Sequence, residues 1–446
     1  MKVLFVSLGC DKNLVDSENM LGILREKGYD FTDDEEEADV IVVNSCCFIG
    51  DAKEESINTI LQMGELRTDP DKRCRALIVA GCLAQRYADD IRKEIPEVDA
   101  CVGTTAYDRI AGVIDRVLKG EHVKELDSID RPVETYPGRV ITTGGYYSYL
   151  KIAEGCNKLC TYCIIPKLRG HYRSVPIEQL VKEAEDLAAQ GVKELILVAQ
   201  ETTLYGVDLY GSKSLPRLLK ELCGIEGLSW IRLLYCYPEE ITDDLIDVIS
   251  NEPKICHYID MPIQHASDDV LKRMGRRTCR SELTDRIRKL RDRIPDIAIR
   301  TTLITGFPGE TEEDHKILMD FVDETEFTRL GVFTYSPEEG TPAALMDDQI
   351  DEEVKALRRD SIMELQQEIA FEHARDMVGR VLDVMVEGRL VDEDIYTSRT
   401  YMDAPGVDGL LFIDSERELM SGDIVRVRVT GANEYDLIGE LCDESA

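Results

Sequence analysis

The sequence predicts an α/β protein in three parts: a flavodoxin-like, doubly wound parallel sheet over residues 1–120, a partial (β/α)6 barrel of the TIM type over 142–375, and a small antiparallel, OB-like β-barrel over 376–446. Three observations predict it. Short apolar runs alternate with helical stretches along the first 120 residues. Six further strand-helix repeats follow a Pro- and Gly-bearing connection, and only short alternating strands remain after a last helical stretch ending at Arg375. Strand-helix alternation is the pattern of parallel sheets with helical crossovers.

Taken in order, Lys2 to Leu8, Asp39 to Asn44 and Arg75 to Ala80 are nearly continuous apolar runs, the composition of strands buried on both faces. Leu14 to Lys27, Asp51 to Leu66 and Ala84 to Ile95 supply the crossovers. Residues 121–145 carry charge, Pro and Gly and read as a connection, with the linker proper at 121–141. Barrel strands are expected at Tyr147 to Ala153, Glu194 to Ala199, Trp230 to Tyr235, Tyr258 to Met261, Ala298 to Leu303 and Arg329 to Tyr335. Helices fall between them at Glu178 to Ala189, Asp243 to Ser250, Ser281 to Arg293 and Glu312 to Glu324, then Asp351 to Arg375. Val381 to Glu387 and Asp423 to Val429 alternate as strands of the last part.

The 14 cysteines are too sparse for a disulfide scaffold, and the first residues read as a strand rather than a signal peptide. A cytoplasmic protein with reduced thiols is expected, with no membrane span. Cys156, Cys160 and Cys163 form a CxxxCxxC cluster directly after the first barrel strand, at the end where such barrels place their chemistry. Zinc would need a fourth local ligand, and His171 lies outside finger spacing. An iron-sulfur cube normally takes four cysteines, so three leave one iron open. Cys10, Cys46 and Cys82 each follow one of the first three strands. Any one alone reads as a buried core residue. The repeated placement at one sheet edge predicts a second three-thiol site assembled through space. Cys47 points to the opposite side and reads as packing, while Cys74 and Cys101 show no comparable placement.

Three further strand ends carry Ala199-Gln-Glu-Thr-Thr, Met261-Pro-Ile-Gln-His-Ala-Ser and Thr305-Gly-Phe-Pro-Gly-Glu-Thr. Each is compatible with turn chemistry, and His265 alone reads as a structural histidine. Together they ring one mouth, which predicts a cofactor pocket. The formal net charge of -35 opposes binding to phosphate backbones and favours a basic protein partner. From Asp376 to Ala446 there are 6 Arg and no Lys against 17 Asp and Glu, a net of -11. No strong nucleic-acid binding is expected of that part, which lacks a basic groove.

The cysteine motif resembles the signature of radical S-adenosylmethionine enzymes, and the whole chain resembles the methylthiotransferases. The resemblance is carried by Ser7-Leu-Gly-Cys-Asp-Lys-Asn-Leu-Val-Asp-Ser-Glu18, Asn44-Ser-Cys-Cys-Phe-Ile49, Lys151-Ile-Ala-Glu-Gly-Cys156, Pro166-Lys-Leu-Arg-Gly170, Pro262-Ile-Gln-His-Ala-Ser267 and Tyr335-Ser-Pro-Glu-Glu-Gly-Thr341. Cys47 departs from the pattern, which usually has Gly or another small residue there. The resemblance implies a radical S-adenosylmethionine barrel followed by a TRAM domain, with two 4Fe-4S clusters. Cys156, Cys160 and Cys163 would hold the cluster that binds and cleaves S-adenosylmethionine, and Cys10, Cys46 and Cys82 an auxiliary cluster that delivers methylated sulfur. The 5'-deoxyadenosyl radical would take hydrogen from an unactivated carbon, so no acid-base catalytic residue is assigned. Tyr162, Gln200, Glu201 and Gln264 are the expected S-adenosylmethionine contacts. The acidic tail favours the family branch that modifies the β-carbon of an aspartate in small-subunit ribosomal protein S-twelve over the branch acting on tRNA adenosine. Electron and sulfur donors are the other implied partners. A non-catalytic iron-sulfur factor that binds ribosomal components would leave the Gly-Phe-Pro-Gly-Glu and Gln-His motifs without a task.

Overall fold

Every residue of Val40–Ser45 and Ala76–Gly81 is buried, as strands covered by helices on both faces require. The computed structural model describes residues 1–133, 135–391 and 394–442. Its first sheet comprises β1 (Lys2–Ser7), β2 (Asp30–Phe31), β3 (Val40–Ser45), β4 (Ala76–Gly81), β5 (Ala100–Val102) and β6 (Val123–Glu125). The order is β2-β1-β3-β4-β5-β6, and every pairing is parallel. Helices α1 (Asp11–Glu26), α2 (Gly50–Thr68), α3 (Cys82–Glu94) and α4 (Ile110–Val117) flank it. The strand order reverses between β1 and β3, the switch point where open α/β sheets bind ligands. β6 corrects the expected boundary: Val123–Glu125 pairs with Ala100–Val102, so the stretch read as linker contributes an edge strand. Three residues with two charges are too short to show a strand pattern.

The second sheet comprises β7 (Tyr147–Lys151), β10 (Glu194–Val198), β11 (Trp230–Leu233), β12 (Ile255–Asp260), β13 (Ala298–Thr305) and β14 (Arg329–Thr334), with a separate ribbon of β8 (Ala153–Glu154) and β9 (Arg173–Ser174). Its six parallel strands run in sequence order from β7 to β14 and leave the barrel open. The helices around and between them are α5 (Ile165–Arg169), α6 (Ile177–Ala189), α7 (Val207–Tyr210), α8 (Leu215–Cys223), α9 (Asp243–Asn251), α10 (Asp268–Arg273), α11 (Arg280–Arg293), α12 (Glu312–Thr325) and α13 (Glu352–Asp376). Outward-facing Leu195, Leu197, Ile231 and Leu233 pack under the helices. Inward-facing Ile196, Val198 and Tyr258 pack instead against Val384, Val386, Leu411 and Val427 of the third part.

That third part is a closed barrel of β15 (Val381–Arg389), β16 (Ile395–Thr400), β17 (Leu411–Asp414), β18 (Ile424–Asn433) and β19 (Asp436–Leu441), in the order β15-β16-β17-β19-β18. Four pairings are antiparallel, and β17 and β19 pair in parallel to close the barrel. No helix among the described residues is long and apolar enough to cross a membrane.

A buried ionic triad joins barrel and tail. Arg232 Nε donates to Glu194 Oε1 and Arg399 Nη2 to Glu194 Oε2, both at 2.7 Å, and all three side chains are at most 1% exposed. Burial opposes the Glu194 charge, but Arg399 and Arg232 outweigh it and hold its pKa below the usual carboxylate value. Glu194→Gln leaves the two guanidiniums without this counter-charge and is expected to cost about 3–5 kcal/mol. Urea unfolding at neutral pH measures the loss.

Candidate functional site

Backbone geometry brings the three amino-terminal thiols together. Cys10 caps α1, Cys46 follows β3 and Cys82 opens α3, so all three lie at the carboxyl ends of the adjacent strands β1, β3 and β4. Gly9 has φ +88°, and a Cβ there would stand 2.6 Å from Cys46 Cβ. Only glycine lets the Cys10 loop approach the Cys46 loop so closely. Asn13 ties the loops by donating from Nδ2 to Leu8 O and Ser45 O, both at 3.0 Å. Ser56 Oγ brackets Cys46, accepting from its N and donating to its O at 2.9 Å. Burial raises the Cys46 thiol pKa and pushes Cys82 up to about 12, while the nearby Arg169 guanidinium pulls both down. Cys47 packs with Ile60, Met63 and Leu77, as read from the sequence.

Cys156, Cys160 and Cys163 occupy the loop after β8. Gly155, at φ +80°, has no room for a Cβ, which would fall 2.1 Å from His171 O. The loop is pinned by Cys156 N to Gly170 O at 3.1 Å, Thr161 N to Met274 O at 2.9 Å and Ala343 N to Thr161 O at 2.9 Å. Burial pushes Cys156 up to about 11 and raises Cys163 further. Such thiols ionise only when a nearby positive charge or a metal offsets the desolvation. His171 is exposed and bonded to Asp130, which leaves the zinc alternative without its fourth ligand. Among the described residues no three Cys, His, Asp or Glu side chains gather closely enough to hold one ion. A cube places each thiolate on a different iron, and both triads have the donor chemistry for one.

A buried ionic seam joins α1, which Cys10 caps, to the segments on either side of the CxxxCxxC loop. Arg169 Nη1 donates to Asp16 Oδ2 at 2.6 Å and Glu154 Oε2 at 3.2 Å, and its Nη2 bonds Asn13 Oδ1. Lys151 Nζ bonds Asp16 Oδ1 and donates to Glu154 Oε2 at 2.9 Å, and Gln200 Nε2 donates to Glu154 Oε1 at 2.7 Å. Asp16 and Asn13 lie on α1, whereas Lys151, Glu154 and Arg169 surround the CxxxCxxC loop. Burial works against the Glu154 charge, but Arg169 and Lys151 prevail and lower its pKa to about 2.

The expected ligand contacts separate on inspection. Glu201 is fully buried, accepts Thr203 N at 2.9 Å through Oε1 and leaves Oε2 without a hydrogen bond. Burial raises its pKa to about 7. Tyr162 is half-buried and meets Phe307 edge-on, with ring centroids 6.5 Å apart. Gln200 is tied to the seam through its amide, while its Oε1 has no partner. Gln264 has φ 71° and bridges by backbone to β13, donating to Thr302 O and accepting from Ile304 N. Buried His265 accepts from Ser267 N at 2.9 Å, its Nε2 has no hydrogen-bond partner among the described residues, and burial lowers its pKa to about 3.

Several polar groups at this mouth were not legible in the sequence. Arg276 is buried beneath Tyr237, with its guanidinium carbon 4.2 Å from the ring centroid. Arg276 Nη2 donates to Pro262 O, while Nε and Nη1 have no hydrogen-bond partner among the described residues. Glu239 Oε2 also lacks one. Buried polar groups are normally satisfied, so this concentration of orphans fits a polar ligand with both positive and negative groups.

The comparisons agree with this architecture. Residues 2–103 match the model described as Uncharacterized protein family UPF0004, residues 150–322 the Radical SAM superfamily and residues 378–442 the TRAM domain. The radical S-adenosylmethionine methyltransferase TsrM from Kitasatospora setae shares the fold, at a TM-score of 0.54 and 15% identity over 88% of this chain and 79% of that one. Fold and site together define a radical S-adenosylmethionine enzyme, with an iron-sulfur cluster and S-adenosylmethionine as its cofactors. A protein named ribosomal protein uS12 methylthiotransferase RimO in Lachnoclostridium phytofermentans is 65% identical, over 98% of this chain and 99% of the relative. Proteins of the same name in Acetivibrio thermocellus and Clostridioides difficile are 52% and 48% identical, each covering 100% of this chain and 99% and 100% of the relative. The chain belongs to the RimO family of methylthiotransferases.

Arg169→Met strips the seam of one of its two cations and is expected to cost about 3–5 kcal/mol at neutral pH, measured by urea unfolding. Because the folded Glu154 pKa is depressed, to about 2, its stabilisation is complete above the unfolded carboxylate pKa and is lost as pH falls toward the folded value. The deficit of the variant should therefore shrink on acidification through that window.

Proposed function

We propose that this chain methylthiolates the β-carbon of an aspartate in ribosomal protein uS12. One S-adenosylmethionine is used for hydrogen abstraction and a second as methyl donor. Two 4Fe-4S clusters are held by Cys156, Cys160 and Cys163 and by Cys10, Cys46 and Cys82. The observation that supports the proposal is the presence of two three-thiol sets on elements joined by one buried seam, because radical generation alone requires a single set. The name of the relatives and the acidity of the tail support a basic ribosomal protein as substrate, with electron and sulfur donors as further partners.

When bound, the clusters supply the electron that cleaves the sulfonium and the sulfur that is delivered. The protein's own contribution is positional. Glu201 and Glu239 bring carboxylate oxygens and Arg276 brings free N–H groups to one mouth, a set complementary to the amino and carboxylate groups of S-adenosylmethionine. Tyr162, with Phe307 behind it, offers an aromatic wall for the adenine, and Gln200 and Gln264 border the same opening. Arg169, Lys151 and Asp16 hold the two thiol loops in one orientation, so that reacting groups meet without a search.

Anaerobically reconstituted wild type should convert S-adenosylmethionine to 5'-deoxyadenosine under reduction and add a methylthio mass to a uS12 peptide. Simultaneous substitution of Cys10, Cys46 and Cys82 by Ala should halve iron and sulfide, keep 5'-deoxyadenosine formation and abolish the methylthio product. Wild type that modifies tRNA and leaves the peptide unchanged would overturn the proposal. S-adenosylmethionine binding should also strengthen as pH rises through about 7, where Glu201 ionises. Glu201→Gln should bind more weakly with a flat profile, as calorimetric titration would report.

A further inference from the structure

Four lysines are buried among the described residues: Lys12, Lys151, Lys158 and Lys355. Three have hydrogen-bond acceptors. Lys151 bonds Asp16 and Glu154, Lys158 bonds Glu239 and Glu240, and Lys355 bonds Tyr335 O and Glu352. The Lys12 ammonium donates no hydrogen bond among the described residues, and its Nζ is not among the fully buried unpartnered atoms, so it is open to a ligand although the residue as a whole is only 6% exposed. Its nearest carboxylate oxygen, Asp11 Oδ2, is 3.7 Å away. Its Nζ instead sits 3.3 Å from the centroid of the Tyr235 ring. A cation–π contact holds the ammonium against the ring without satisfying its N–H donors.

The location is specific. Lys12 follows Cys10 by two residues in the first turn of α1. Tyr235 comes from the barrel loop after β11 and has φ 59°, a left-handed conformation that is rare for a bulky residue. Its N is held by Asp260 Oδ2 at 3.0 Å. Two residues further on, Tyr237 places its hydroxyl 3.8 Å from Cys160 Sγ. One loop therefore meets Lys12, two residues after Cys10, at one end and Cys160 at the other.

We propose that Lys12 is the receptor for a carboxylate of the substrate, and that this carboxylate belongs to the side chain being modified. The inference rests on the proposed aspartate reaction. In that side chain the carboxylate carbon is bonded directly to the reacting β-carbon, so an ammonium that fixes the carboxylate also fixes that carbon. A charge-assisted bond supplies the acceptor that Lys12 lacks. The amide of an asparagine carries no charge to draw the ammonium from Tyr235, so Lys12 makes the site select Asp over Asn. Lys12 acts as a specificity and positioning residue, with no proton transferred.

The test uses full-length, anaerobically reconstituted enzyme and two uS12 peptides that differ only by Asp or Asn at the target position. Wild type should bind the Asp peptide at least about tenfold more tightly. In Lys12→Met the ratio of the two affinities should fall to about one, with KM for the Asp peptide raised by a similar factor, whereas Lys12→Arg should retain most of the preference. Iron content at the wild-type level verifies assembly, and Lys12→Gln provides a second neutral variant. Retention of the preference in both neutral variants would overturn the proposal, as would a loss of iron in both, which would assign Lys12 to the auxiliary thiols. Wild type that binds both peptides but transfers no methylthio group would instead refute the aspartate reaction, and the affinity ratio would still report on Lys12.

Discussion

The buried cluster of Asp16, Glu154, Lys151 and Arg169 is the constraint on which the rest of the site depends. Two anions and two cations lie within hydrogen-bonding reach of one another with almost no exposure to water. None is stable there alone, because each carries a desolvation cost that only its partners offset. The bonds are directional, with Arg169 reaching Asp16, Glu154 and Asn13 together. An apolar interface would tolerate sliding and rotation; this one fixes α1 against the ribbon that leads into the CxxxCxxC loop. The separation of the two thiol triads follows from that register.

The topology makes the meeting possible. Both parallel sheets present the carboxyl ends of their strands to the same seam, one with Cys10, Cys46 and Cys82 and the other with Cys156, Cys160 and Cys163. The third part docks elsewhere, against the inner barrel face and the buried start of β10 at Glu194. From Asp376 to Ala446 it carries a net charge of -11. Under the proposed function, radical chemistry, sulfur delivery and substrate attraction would fall to separate surfaces of one chain.

The sequence made the two cysteine sets, the parallel sheets and the closing β-barrel legible, because strand-end placement and apolar periodicity are local properties. Seam and mouth were less so. Arg169 stands in the Pro-Lys-Leu-Arg-Gly motif and Lys151 in Lys-Ile-Ala-Glu-Gly-Cys, yet neither motif says that both side chains converge on Asp16, more than 130 residues earlier. Arg276 and Tyr235 sit among ordinary loop residues, and only burial without partners or a left-handed backbone sets them apart. Gln264 illustrates the reverse: its position at a strand end was evident, while its backbone bridge to β13 depends on a neighbour in space. β6 escaped because a three-residue edge strand carries no period.

The most direct test of the central claim is iron anomalous diffraction from crystals of the anaerobically reconstituted protein. Two iron peaks are expected, one at Cys10, Cys46 and Cys82 and one at Cys156, Cys160 and Cys163. A single peak, or a second peak away from the amino-terminal thiols, would contradict that claim.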